Sequence, residues 1–158
     1  MTTTTRDQRS ALVFGASGFL GRWLVKELLD QDVHLTAAVR SAASALGLIS
    51  WLEDHGVAVE GLQLLLVDLM VDGLGIGAGM LPQVSEVYNV AGAYAFGMTK
   101  EEARGANVET VRRVVDLSST LGVSRLVHVS GYRVGGQDPA SVPWSPQRIS
   151  SEYDRLGA

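Results

Sequence analysis

The sequence predicts an α/β fold, a doubly wound parallel sheet of about five strands in the order 3-2-1-4-5. Three observations predict it. Short apolar runs of strand length alternate with longer stretches of helical periodicity along most of the chain. The first apolar run ends on three spaced glycines, Gly15, Gly18 and Gly21, and passes at once into an amphipathic stretch carrying Leu20, Leu24 and Leu28. A second apolar run follows on schedule. Strands joined by helices run parallel through right-handed crossovers, which leaves few arrangements other than a doubly wound sheet.

The elements follow in order. The first strand is expected at 11–15, the first helix at 18–30 and the second strand at 33–39. A second helix spans 41–55, with Ser41 as its N-cap. The third strand, 62–67, is nearly all apolar, the pattern of a strand buried on both faces. The fourth strand is 86–91. A long helix covers 100–121, opened by a T-x-x-E capping box from Thr99 and Glu102. Within it Ala103, Ala106, Thr110, Val114, Leu117 and Leu121 lie three or four apart and make one buried stripe. The fifth strand is 125–129. Two segments break the rhythm. Residues 72–80 read DGLGIGAGM and lead to Pro82, a loose connection or frayed helical turn rather than a second glycine fingerprint. Residues 135–146 hold glycines and three prolines and read as a substrate-side or mobile loop.

Composition narrows the function classes. At 158 residues and 46% hydrophobic, the chain suits one domain with a sizeable core. A net charge of -4 gives no footprint for nucleic acid or an acidic membrane. No apolar stretch reaches the roughly 18 residues of a membrane helix. The opening MTTTTRDQRS lacks a signal-peptide hydrophobic region. The absence of cysteine excludes disulfides, cysteine zinc sites and a cysteine nucleophile. A cytoplasmic protein is the default expectation. His34, His55 and His128 have no ligand spacing, so no metal is expected; His128, inside a strand, reads as structural.

The glycine turn carries the chemistry. In a strand–turn–helix unit, Gly15 allows the tight turn, Gly18 lets backbone N–H groups approach a pyrophosphate, and Gly21 lets the helix pack on its strand. The ligand this implies is a dinucleotide, lying across the C-terminal strand ends where strands one and four diverge. No Gly-Lys-Ser/Thr follows, which argues against a Walker phosphate loop. Such folds usually place an acid at the end of strand two for the adenosine ribose. Here that position is Arg40, and Asp32 lies at the wrong end of the strand. A guanidinium there pairs with a 2′-phosphate, which points to NADP(H) over NAD(H), against the alternative of a solvated arginine. Asp68 closes strand three, where it is either an acceptor for the adenine amine or a turn residue. Ala91, Gly92 and Ala93 close strand four with room for a cofactor, or for tight packing. Glu101 and Glu102 complement a helix dipole. Asn107 reads as a buried polar residue organising nearby backbone or a water. Tyr88, Tyr94 and Tyr132 read as packing residues, with facing the site as the alternative for Tyr94 and Tyr132, which follow strand ends.

Together these pieces resemble the extended short-chain dehydrogenase/reductase family, the NAD(P)-dependent epimerase, dehydratase and reductase group. The matching stretches are GASGFLG (15–21), VDL (67–69), VYNVAGAY (87–94), NVET (107–110) and LVHVSGYRVGG (126–136), in family order. The resemblance implies a Rossmann-like fold and hydride transfer to or from a small carbonyl or alcohol substrate. It implies that Gly15, Ser17, Gly18, Phe19 and Leu20 hold the pyrophosphate. Arg40 holds the 2′-phosphate, Asp68 and Leu69 flank adenine, and Ala91, Gly92 and Ala93 line the cofactor path. The arginine at strand two looks like the NADPH-using reductase branch.

The family's catalytic Ser or Thr, Tyr and Lys are not matched. The usual hydroxyl position falls on Gly131, leaving Ser130 as a stand-in near the nicotinamide. Tyr153 is followed four residues on by Gly157, and no lysine follows Lys100. The domain reading is therefore a flexible leader at 1–10, a dinucleotide-binding domain at 11–134, and an irregular tail at 135–158 leading to a missing C-terminal part. The alternatives are a non-catalytic NADP-binding sensor or interaction module on the same fold, or an NAD-dependent sugar epimerase or dehydratase. A homodimer is expected of the full-length protein.

Overall fold

A computed structural model describes residues 9–77, 79–93 and 99–130. The 135–146 loop, Tyr94, Tyr132 and Tyr153 lie outside the described residues. Five strands form one sheet, β1 (Ser10–Phe14), β2 (His34–Val39), β3 (Gln63–Leu66), β4 (Glu86–Asn89) and β5 (Arg125–His128). They are parallel throughout, in the order β3-β2-β1-β4-β5. The helices are α1 (Phe19–Asp30), α2 (Ala42–Asp54), α3 (Lys100–Arg104) and α4 (Thr110–Leu121). No described helix is long and apolar enough to cross a membrane.

The period-2 pattern of β1 divides the core. Ala11 and Val13 face a layer built by Val25 and Leu28 of α1 and by Ala45, Leu48 and Leu52 of α2. Leu12 and Phe14 face the other layer, with Val87, Leu65, Leu74 and Val114 of α4. Trp23 of α1 meets Trp51 of α2 edge to face, with ring centres 4.8 Å apart. His55 stacks on Trp51 at 3.9 Å, so it is part of this packing. Ser41 caps α2 by accepting the Ser44 N–H at 3.1 Å.

Three details differ from the expected elements. First, β3 is not buried on both faces. Leu65 is buried, while Leu64 is 41% and Leu66 58% exposed. The strand is the sheet margin, and α2 packs over β2 instead. Second, the helix over 100–121 is not uniform. Its capping box forms as expected, but Gly105–Glu109 widens into a π turn between α3 and α4. Third, Arg9 and Ser10 belong to the fold rather than to a leader. Ser10 begins β1, and Arg9 grips Glu86 with Nε and Nη2, both at 2.9 Å. Tyr88 donates its hydroxyl to the same carboxylate at 2.6 Å, so it bonds as well as packs. Asp72–Gly75 forms a tight turn, and among the described residues between it and β4 there is no helix, as the Pro82 exit implied.

Candidate functional site

At the C-terminal ends of the strands, β1 has β2 on one side and β4 on the other, and the chain winds in opposite directions from it. A cleft of about 720 Å³ opens at this switch point. Gly15, Ser17 and Gly18 form its floor, Arg40, Val67, Asp68, Leu69 and Met70 one wall, and Val90, Ala91, Gly92, Ala93, Ala106 and Thr110 the other.

The glycine turn is fixed by backbone contact. Gly15 has φ +79°, and a Cβ there would lie 2.7 Å from the Ala91 nitrogen. A Cβ on Gly21 would collide with the Gly15 carbonyl, so α1 sits against the turn with nothing between. The Gly18 N–H donates to the Gly15 carbonyl at 3.0 Å and closes the turn. Gly18 then begins α1 without a side-chain cap and with no acid in the first turn. The contrast is with α2 and α3, where Ser41 accepts the Ser44 N–H and Thr99 the Glu102 N–H. The start of α1 therefore offers N–H donors and the positive end of its dipole to an anion in the cleft.

Arg40 follows β2 directly, is exposed, and lines the cleft. Asp68 accepts the Met70 N–H on Oδ1 at 2.8 Å, so it fills the turn role while its carboxylate lines the wall. Asp32, with φ +56°, forms the turn before β2 at the far end of the sheet. The β4 exit is held from two sides. Asn89 Oδ1 accepts the Ala91 N–H at 3.1 Å. Asn107, in the π turn, accepts the Ala93 N–H at 3.0 Å and donates to the Ala93 carbonyl at 3.0 Å. Asn107 is thus the backbone organiser of the two readings open to it.

The structure brings nine of the expected cofactor residues onto this cleft, Gly15, Ser17, Gly18, Arg40, Asp68, Leu69, Ala91, Gly92 and Ala93. Phe19, Leu20 and Ser130 do not line it. Phe19 is 76% and Leu20 49% exposed. The expectation for these two rests on their backbone N–H groups. Ser130 is exposed beyond β5, next to Val129, whose N–H bonds to the Asn89 carbonyl at 2.9 Å. His128 is likewise exposed rather than enclosed in the sheet. Ala106 and Thr110 were missed from the sequence, since they read only as members of a core stripe. Their approach to the cleft depends on how the helix crosses β4.

The sequence matches the family described as male sterility protein, an NAD-binding domain family, over residues 13–151. Cinnamoyl-CoA reductase 1 from Oryza sativa subsp. japonica is 28% identical over 158 residues, covering 95% of this chain and 45% of the rice protein. Among solved structures, the yeast methylglyoxal/isovaleraldehyde reductase Gre2 complexed with NADPH superimposes with a TM-score of 0.65 at 21% identity. That match covers 78% of this chain and 37% of the yeast one. The Bordetella bronchiseptica enzyme WbmG in complex with NAD gives 0.58 at 22% identity, covering 80% and 39%. The chain thus spans less than half the length of each of these relatives.

Proposed function

Because the chain belongs to the male sterility protein family, within the NAD(P)-binding reductases and epimerases, we propose that it is the cofactor-binding portion of an NADPH-dependent oxidoreductase. The reaction proposed for the whole protein is hydride transfer to or from a small carbonyl or alcohol substrate. One observation carries this reading: the uncapped start of α1, the glycine turn and Arg40 converge on a single cleft at the sheet's switch point. That donor set fits a pyrophosphate flanked by an adenosine 2′-phosphate. The relatives do not choose the cofactor, since one is complexed with NADPH and another with NAD. Arg40 favours NADPH.

When bound, the nicotinamide supplies or accepts the hydride. This chain's share is binding and orientation. Backbone N–H groups at Ser17, Phe19 and Leu20 hold the pyrophosphate, and Gly15 and Gly18 let it approach the turn without a side chain in the way. The Arg40 guanidinium pairs with the 2′-phosphate, Asp68 and Leu69 flank the adenine, and Ala91, Gly92 and Ala93 let the nicotinamide half pass close to β4. Ser130 lies on the nicotinamide side as the hydroxyl available to a substrate.

The test is a titration of the chain with NADPH and NADH, repeated on Arg40→Asp. NADPH is expected to bind more tightly, and the variant to lose about tenfold or more for NADPH while NADH changes little. An unchanged preference would remove the role of Arg40. A second reading, a non-catalytic NADP-binding module, draws on Gly131 at the family's hydroxyl position and Gly157 four residues after Tyr153. It expects cofactor binding without turnover on any carbonyl substrate.

A further inference from the structure

We propose that Arg113 is a positioning residue for the adenine end of the cleft, acting from α4 on the connection between β3 and β4. The proposal rests on the cofactor reading above, because the wall it positions is the one assigned to adenine. Asp68 and Leu69 form that wall. Arg113 Nε donates to Asp72 Oδ1 at 2.9 Å, and Nη1 donates to the Leu69 carbonyl at 3.4 Å. One planar guanidinium thus holds a residue of the wall and a residue of the turn behind it.

The turn needs holding. Gly73, Leu74 and Gly75 run consecutively at φ +69°, +58° and +66°. Leu74 is not a glycine, and the left-handed region is unfavourable for a residue that carries a side chain. Two anchors offset this. Leu74 is 1% exposed, in the layer that includes Val114. Arg113, one residue before Val114, fixes the outer side of the turn; its side chain is 18% exposed against 90% for Asp72. The turn passes its position back to the wall, since the Asp68 N–H donates to the Leu74 carbonyl at 2.9 Å. Arg113, Asp72, Leu74 and Asp68 form one connected path from α4 to the cleft. A lysine ammonium, lacking the planar fork, does not span both acceptors in this geometry.

The experiment titrates the full chain with 2′,5′-ADP, an adenine-end fragment of the cofactor, and with NADPH. It compares wild type with Arg113→Gln, Arg113→Lys and Asp72→Asn, and records melting temperature and amide exchange alongside. Asp72 is at the surface, so Asp72→Asn keeps the test readable should Arg113→Gln fold poorly. The expected result is about a tenfold weaker 2′,5′-ADP affinity in Arg113→Gln and a smaller loss in the other two. Exchange should rise over residues 68–74 but not in β1 or β2. Unchanged affinity in variants of a wild type that binds would overturn the role of Arg113 and leave the cofactor reading intact. Losses that track a general fall in melting temperature, with exchange rising across the sheet, would also overturn it. A wild type that binds neither ligand would overturn the cofactor reading and this proposal with it.

Discussion

Gly15 is the residue on which the site's geometry depends most. Its φ of +79° and the 2.7 Å approach to Ala91 leave no room for a methyl group. Gly15→Ala is expected to destabilise the chain by about 1–3 kcal/mol, measured by urea unfolding, and to abolish measurable NADPH binding. A stable variant that still binds would show that the turn tolerates a side chain. This residue was legible in the sequence, because strand, glycine spacing and helix are all local signals. Asn107 was only half legible. Its partner, Ala93, is 14 residues away, and local pattern does not report that distance. Asn107→Ala removes both bonds to Ala93 and is expected to cost about 1–2 kcal/mol in stability, with a several-fold loss in NADPH affinity. Asn107→Asp keeps the acceptor for the Ala93 N–H but places a carboxylate against the Ala93 carbonyl, and is expected to lose at least as much affinity.

At the scale of elements, the clamp between the starts of β1 and β4 gives a pH-dependent expectation. Hydrogen bonds from Arg9 hold the Glu86 carboxyl down to about 2 against its burial, helped by the Tyr88 hydroxyl and the charges of Arg9 and Arg125. A depressed folded-state pKa stabilises the fold fully above the ordinary value and loses that contribution as pH falls from about 4.5 to about 2. Melting temperature followed from pH 6 downwards should fall more steeply in wild type than in Glu86→Gln over that window. Parallel curves would show that the clamp contributes nothing to acid stability. The sequence did not reveal this clamp, since Arg9 reads as part of a polar leader. It also overstated β3. An apolar run looks the same at a sheet margin as at its centre, and only the position of α2 distinguishes the two. The capping box and the Ser41 cap were legible, being contacts between residues three apart. The π turn was not, because the buried stripe continues through it without a break in spacing.

At the scale of the whole molecule, strand order and the location of the cleft were both readable in the sequence. Alternating strands and helices with right-handed crossovers restrict the topology, and the topology places the cleft at the switch point beside β1. The two cleft walls were legible where strand ends supply them. They were not where α4 and the turn at Asp72–Gly75 approach from elsewhere in the chain. The central claim is that a nicotinamide dinucleotide binds across this end of the sheet. Amide chemical shifts recorded as NADPH is added to the isotope-labelled chain test it most directly. Shifts should concentrate at residues 15–21, Arg40, Asp68, Leu69 and 91–93, leaving the Arg9–Glu86 end of the sheet unmoved. No saturable shifts, or shifts centred at that opposite end, would contradict the account.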